Sequence, residues 1–133
     1  MRFTWKQTDD GEFAGYESTR RLSTGHTAWF GANRFLADDG ATIQWNIEIE
    51  VFRKRKNRDL LSCELTGPGG TEAPGFFLEA LSFFEREIAR PGDRIQVMGA
   101  DGKRYRLYHR VLGKRSYLPT RVDGQPTLVK VQT

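Results

Sequence analysis

Cysteine occurs once in the chain, at Cys63, so no disulfide can form within it, and this usage suits a reducing compartment. Histidine occurs only at His26 and His109. With a single cysteine beside them, no cluster has the ligand spacing of a metal site, and no metal is expected. No stretch approaches the roughly 20 consecutive apolar residues of a membrane-spanning helix. The opening "MRFTWKQTDD" turns polar before the apolar segment of a signal peptide can form. Together these absences read as a cytoplasmic protein with no membrane partner. An excess of one charge is also nearly lacking: 21 lysines and arginines face 17 aspartates and glutamates, a net of +4, so self-repulsion does not force disorder. The sequence has no internal repeat and no low-complexity tract.

What is present suffices for one core. The 133 residues, 38% apolar and 12% aromatic, read as a single domain over 1–133. A pI near 9.5 permits an anionic partner without demanding one. In "ATIQWNIEIEVF", Ile43, Trp45, Ile47, Ile49 and Val51 alternate with polar residues, the period-2 pattern of a half-buried strand. "ADDG" at 37–40 is a hairpin signal that makes "TAWFGANRFL" its antiparallel partner. "RFTWKQT" and "EFAGYES" flank "DDG" as an earlier hairpin. After the polar "RKRKNRD", "LLSCELT" returns as a further strand, and the chain opens as an antiparallel meander.

From residue 75 the period changes. Phe77, Ala80, Leu81, Phe84 and Ile88 form one helical stripe, with Pro74 where a first turn tolerates it and Arg90-Pro91-Gly92 as a stop. "DRIQVMG" is a short strand and "PTLVKVQ", after the "VDGQ" turn, the terminal one. Residues 103–115 fit two periods. As a helix they gather Tyr105, Tyr108 and Leu112 on one face and leave Lys103, Arg106, Arg110 and Lys114 in water; as a strand Tyr105, Leu107 and Val111 alternate with Arg104, Arg106 and Arg110, which splits Tyr105 from Tyr108. The helical reading gives an α+β domain, an antiparallel meander followed by helix-strand-helix-strand. The extended reading gives a mostly antiparallel β domain with one helix.

With the helical reading, the order from residue 59 is strand, glycine-rich loop, helix, strand, basic helix, strand. This order, carried by "GPGGTEAPGFF" and "RLYHRVLGKRSY", resembles the second half of the GNAT acyltransferase superfamily. The resemblance implies acetyl-CoA or another acyl-CoA as cofactor, its pyrophosphate held where a loop of Arg/Gln-x-x-Gly-x-Gly/Ala type meets a helix start. It implies transfer of the acyl group to an amine on a small molecule or a protein. Helix starts suit anions because their first N–H groups are unsatisfied. Gly75 falls on the first glycine of that pattern, with Glu72 in place of Arg or Gln and Phe77 in place of the small residue. A second register places Gly67, Gly69, Gly70 and the Thr71 hydroxyl at the phosphates. Read without the family, the same stretch is a flexible connection ahead of a capped helix. Tyr108 takes the position of the tyrosine that protonates the departing thiolate, while Tyr117 lies about one turn beyond the family's closing aromatic. Its plain alternative is a packing aromatic. The family's helices between its first strands find no counterpart in residues 9–40.

A base for the amine would come from a carboxylate. Glu48 and Glu50 project from one side of a strand, with Glu64 on the next, or else they mark its wet face. Two basic clusters point elsewhere. "RKRKNR" (Arg53, Lys54, Arg55, Lys56, Arg58) and "KRYRLYHRVLGKR" (with Arg104, Arg106 and Arg110) hold eleven of the 21 basic residues, and the second interleaves them with tyrosines, a combination suited to phosphates and stacked bases. The expected function is thus an acyl-CoA-dependent N-acyltransferase, or a relative that lost the chemistry. The alternative is a small basic module that binds nucleic acid or another protein.

Overall fold

The computed structural model describes residues 1–54, 60–63, 72–98 and 102–133, including side chains except at 53–54, 60–63 and 102–105. Its elements are β1 (Thr4–Gln7), β2 (Ala14–Arg21), β3 (Thr27–Leu36), β4 (Ile43–Lys54), β5 (Leu60–Cys63), α1 (Glu72–Glu87), β6 (Arg94–Met98), α2 (Gly102–Leu112), a 3-10 turn (Gly113–Arg115), β7 (Leu118–Val122) and β8 (Gln125–Val131). The strands bond in the order β1-β2-β3-β4-β6-β8-β7, and β5 pairs with β4 off this path. The fold is α+β with a mixed sheet. The chain separates into two compact units, one of Met1–Gly31 with Ile49–Ile88, the other of Ala32–Glu48 with Ala89–Thr133.

In the first unit α1 buries Ala73, Phe76, Phe77, Ala80, Leu81 and Phe84, the stripe read from the sequence shifted toward its N-terminal end. The helix starts at Glu72, so Pro74 falls in the first turn, where no intrahelical N–H bond is lost. Phe30 of β3 lies among these rings, 6.0 Å from Phe77 and 6.3 Å from Phe84, and takes the edge of Phe3 at 5.7 Å. Phe3 in turn stacks on Phe83 at 5.3 Å. Full burial of such a ring is worth about 1.5–3 kcal/mol, and each aromatic pair about 0.5–1.5 kcal/mol more. Trp29 points to the other side of β3 from Phe30. Its Nε1 donates to Glu17 at 2.6 Å, and its ring lies over Gly31 so closely that a Cβ there would stand 2.2 Å from it. Gly31 therefore answers to a ring placed on the backbone rather than to a turn.

In the second unit β4 and β6 run parallel, with Gln44 to Ile47 opposite Arg94 to Val97. A parallel pair needs a long crossover, here the segment containing α1. β8 then pairs antiparallel with both β6 and β7. Trp45, Ile47, Ile95, Val97, Tyr108, Leu112, Tyr117 and Leu128 form the core. Asp93 is buried ahead of β6 and is satisfied by Trp45 Nε1 at 2.9 Å and the Arg90 amide at 3.0 Å, while its carbonyl accepts the Gln132 amide at 2.8 Å. A buried carboxylate persists only with such donors. β7 is a strand beyond the sequence-based expectation. It precedes the turn at Asp123-Gly124, where both residues have positive φ (50° and 79°), the geometry of a two-residue hairpin. Pro119 on β7 lacks a donor, which suits a strand at the end of the order.

Candidate nucleic-acid interface

α2 has the sequence GKRYRLYHRVL and contains no acid. Tyr108 and Leu112 are buried, Leu107 and Val111 half-buried, while Arg106, His109 and Arg110 are exposed, followed by exposed Gly113 and Lys114 in the 3-10 turn. From Arg106 on, this is the amphipathic division that the helical period of residues 103–115 implies, while the side chains of Lys103 and Tyr105 lie outside the described ones. Arg106 and Arg110 lie one turn apart on one side of the helix, about 6 Å along its axis, and Lys114 follows them in the 3-10 turn. The last two lie by the helix C-terminus, where unpaired carbonyls favour positive charge. Ser116 ends the run in the left-handed conformation, φ 69°.

Among the described residues no ion pair is formed by this row. Ion pairs join Lys6 to Glu17 (3.9 Å), Arg20 to Glu79 (2.8 Å) and Arg86 to Glu87 (3.1 Å) in the first unit, and none of these includes Arg106, Arg110 or Lys114. Three exposed guanidinium and ammonium groups in line, with no acid on their helix, can hold an anion with repeated negative charge. Lys114 was legible as part of the helical stripe, since its spacing from Arg110 repeats that of Arg110 from Arg106. The lysine and arginine run at 53–58 contributes Arg53 and Lys54 to the end of β4, while Arg55, Lys56 and Arg58 lie outside the described residues. Arg104 is in α2, its side chain not described.

Of the residues expected at an acyl-CoA site, Gly75, Tyr108, Glu48 and Glu50 fall among the described residues. Gly67, Gly69, Gly70 and Thr71 lie outside the described residues, as does Glu64. Gly75 is exposed in the first turn of α1, with open space where a Cβ would stand. At that same helix start Glu72 accepts the Ser23 hydroxyl and its amide, at 3.2 and 3.3 Å for the latter. The hydroxyl first and the amide second hold the Glu72 carboxyl below the usual carboxylate range. A carboxylate therefore already stands in the first turn of α1, and its charge opposes a pyrophosphate there. Tyr108 is only 3% exposed, in the core of the second unit. Glu48 and Glu50 are both exposed, alternating along β4 with buried Ile47 and Val51. Among the described residues no three His, Cys, Asp or Glu side chains gather as metal ligands. The chain matches no protein family, no curated protein and no solved structure.

Proposed function

We propose that this protein binds nucleic acid through α2 and the turn that follows it. The reading rests on one observation: Arg106, Arg110 and Lys114 are aligned, exposed and without an ion-pair partner among the described residues, on a helix that carries no acid. Cations in this arrangement displace the counterions condensed on phosphates. With three contacts, the logarithm of the association constant falls by about 2.7 for each tenfold rise in salt, at about 0.9 per phosphate. Fluorescence anisotropy with a labelled 20-base-pair duplex, titrated from 50 to 200 mM salt, measures that slope. The Arg106→Ala, Arg110→Ala double variant lowers it by about 1.8. No binding even at 50 mM salt would refute the reading.

A second reading, acyl transfer from acyl-CoA to an amine, draws on the order β5, α1, β6, α2 and on Gly75 at the start of α1. The Glu72 carboxylate and the burial of Tyr108 count against it. Under it, coenzyme A at a hundred times its dissociation constant stabilises the fold by about 2.7 kcal/mol. Calorimetry that is flat at millimolar coenzyme A excludes it.

A further inference from the structure

We infer that the first unit binds a small zwitterion of the α-amino-acid type in a polar cavity on the β1–β2 hairpin, a site independent of the nucleic-acid reading. The cavity has a volume of about 170 Å³ and is lined by Arg2, Thr4, Glu17, Ser18 and Thr19. Drug-sized ligands take roughly 300–1,000 Å³, so this space suits a much smaller molecule. The register of the hairpin builds it. Thr4 stands opposite Glu17, and Lys6 opposite Gly15, on one face, while Trp5 and Tyr16 pair their rings on the other at 5.1 Å. Arg2 and Thr19, each two residues further along its chain, line the same cavity.

Glu17 is fixed from behind. Trp29 Nε1 donates to its Oε2 at 2.6 Å, and Lys6 Nζ lies 3.9 Å from that same oxygen. An ion pair of this length to a lysine that is 53% exposed contributes little, so the carboxylate keeps most of its charge. Only 22% of the Glu17 side chain meets solvent, which strengthens its field on a charge placed beside it. Arg2 supplies the opposite sign. Among the described residues it forms no ion pair, with Glu17 or with any other acid.

Two unlike charges that line one cavity without meeting define the ligand. An anion drawn to Arg2 is repelled by Glu17, and a cation drawn to Glu17 is repelled by Arg2, whereas a molecule with both charges satisfies both. Small α-amino acids carry both at neutral pH. The ammonium group donates to the Glu17 oxygen that Trp29 does not engage, and the carboxylate accepts from the guanidinium fork of Arg2. The Thr4 and Thr19 hydroxyls, which donate and accept, serve either end.

Amide NMR of the isotope-labelled full-length protein, titrated with L-alanine to about 20 mM, tests the inference. L-Alanine should shift the signals of residues 2–4 and 17–19 saturably. N-acetyl-L-alanine, which lacks the ammonium, and L-alanine methyl ester, which lacks the carboxylate, should each bind at least about tenfold more weakly. Glu17→Gln, which keeps an acceptor for Trp29, and Arg2→Gln should each weaken L-alanine by a similar factor, with circular dichroism melting to show that the fold is intact. No saturable shift at these residues overturns the inference. Equal binding of the acetylated compound or of the ester overturns it as well, because one charge then suffices. A variant that holds L-alanine as tightly as the parent protein removes its residue from the site, with the same consequence. None of these outcomes bears on duplex binding, so the nucleic-acid reading is judged apart from them.

Discussion

The two units of the molecule carry nearly the same number of cations and use them in opposite ways. The unit of Met1–Gly31 and Ile49–Ile88 has ten lysines and arginines against eleven acids, while the unit of Ala32–Glu48 and Ala89–Thr133 has eleven against six. In the first, Lys6, Arg20 and Arg86 each meet a carboxylate, and Arg20 and Arg86 also cover the faces of Phe76 and Phe83 at 5.1 and 5.7 Å. In the second, α2 exposes Arg106 and Arg110, with no acid among its own residues. A net charge averaged over the chain conceals this difference. It is the local ratio of cations to acids, and their placement on one helix face, that separates charge serving stability from charge open to a partner.

The largest effect on this comparison comes from the first unit's aromatic core. Phe30→Ala removes a fully buried ring that touches three others and should lower the unfolding free energy by about 3–5 kcal/mol, read from the denaturant midpoint. A loss below 1 kcal/mol would mean that α1 is not anchored there. In the second unit, Asp93→Ala strips the acceptor from the Trp45 indole and the Arg90 amide, at a cost of about 1.5–3 kcal/mol in the same measurement. Gly31→Ala drives a methyl group into the Trp29 ring and costs about 1–3 kcal/mol. Combined with Trp29→Ala it should cost clearly less, and simple additivity in the double-mutant cycle would show that the ring is not the obstacle.

The cations themselves give smaller and more telling effects. Arg20→Ala loses an exposed ion pair and a contact with Phe76, for about 0.5–1.5 kcal/mol of stability and no change in duplex affinity. Arg106→Ala with Arg110→Ala should do the reverse, moving stability by no more than about 0.5 kcal/mol while weakening duplex binding. If the two variants behave alike, the division of labour between the units fails. The smallest effect is a titration. The Thr42 hydroxyl, then the Thr42 and Ala41 amides, hold the Asp39 carboxyl down to about 2 from its usual 3.8. Its folded value lies below its unfolded one, so the stabilisation it brings to the β3–β4 turn is present above about pH 4 and is lost as pH falls through 2. A carboxyl carbon shift for Asp39 that titrates near 4 by NMR would contradict this.

Much of the architecture was legible because the local period decides it. β4 follows from the unbroken alternation of Ile43 to Val51, α1 from the spacings of four and three between Phe77, Leu81 and Phe84, and the β3–β4 turn from Asp39-Gly40. Other features have no local signature. β7 drew no assignment from the sequence: Leu118 to Arg121 is exposed and holds a proline, and only pairing with β8 makes it a strand. The candidate site was half legible. The helical period already places Arg106, Arg110 and Lys114 in one row, whereas the role of the tyrosines does not follow from spacing, since a ring beside a cation in sequence serves a base or a core equally well.

What the sequence by itself determined is its periodic elements, β4 and α1 above all, because side-chain direction within one helix or strand repeats with a fixed geometric period; residues 103–115 fitted two periods, and the row of cations on α2 followed only from the helical one. The tertiary structure alone decided which cations are neutralised, that Glu72 answers Ser23 at the start of α1, that Gly31 makes room for Trp29, and that Tyr108 and Tyr117 are buried. The reason is the same in each case. Ser23 and Glu72 stand 49 positions apart and Arg20 and Glu79 stand 59 apart, so no local pattern records that they meet. Such contacts depend on how separate elements pack, and their energies exist only once the chain has closed on itself.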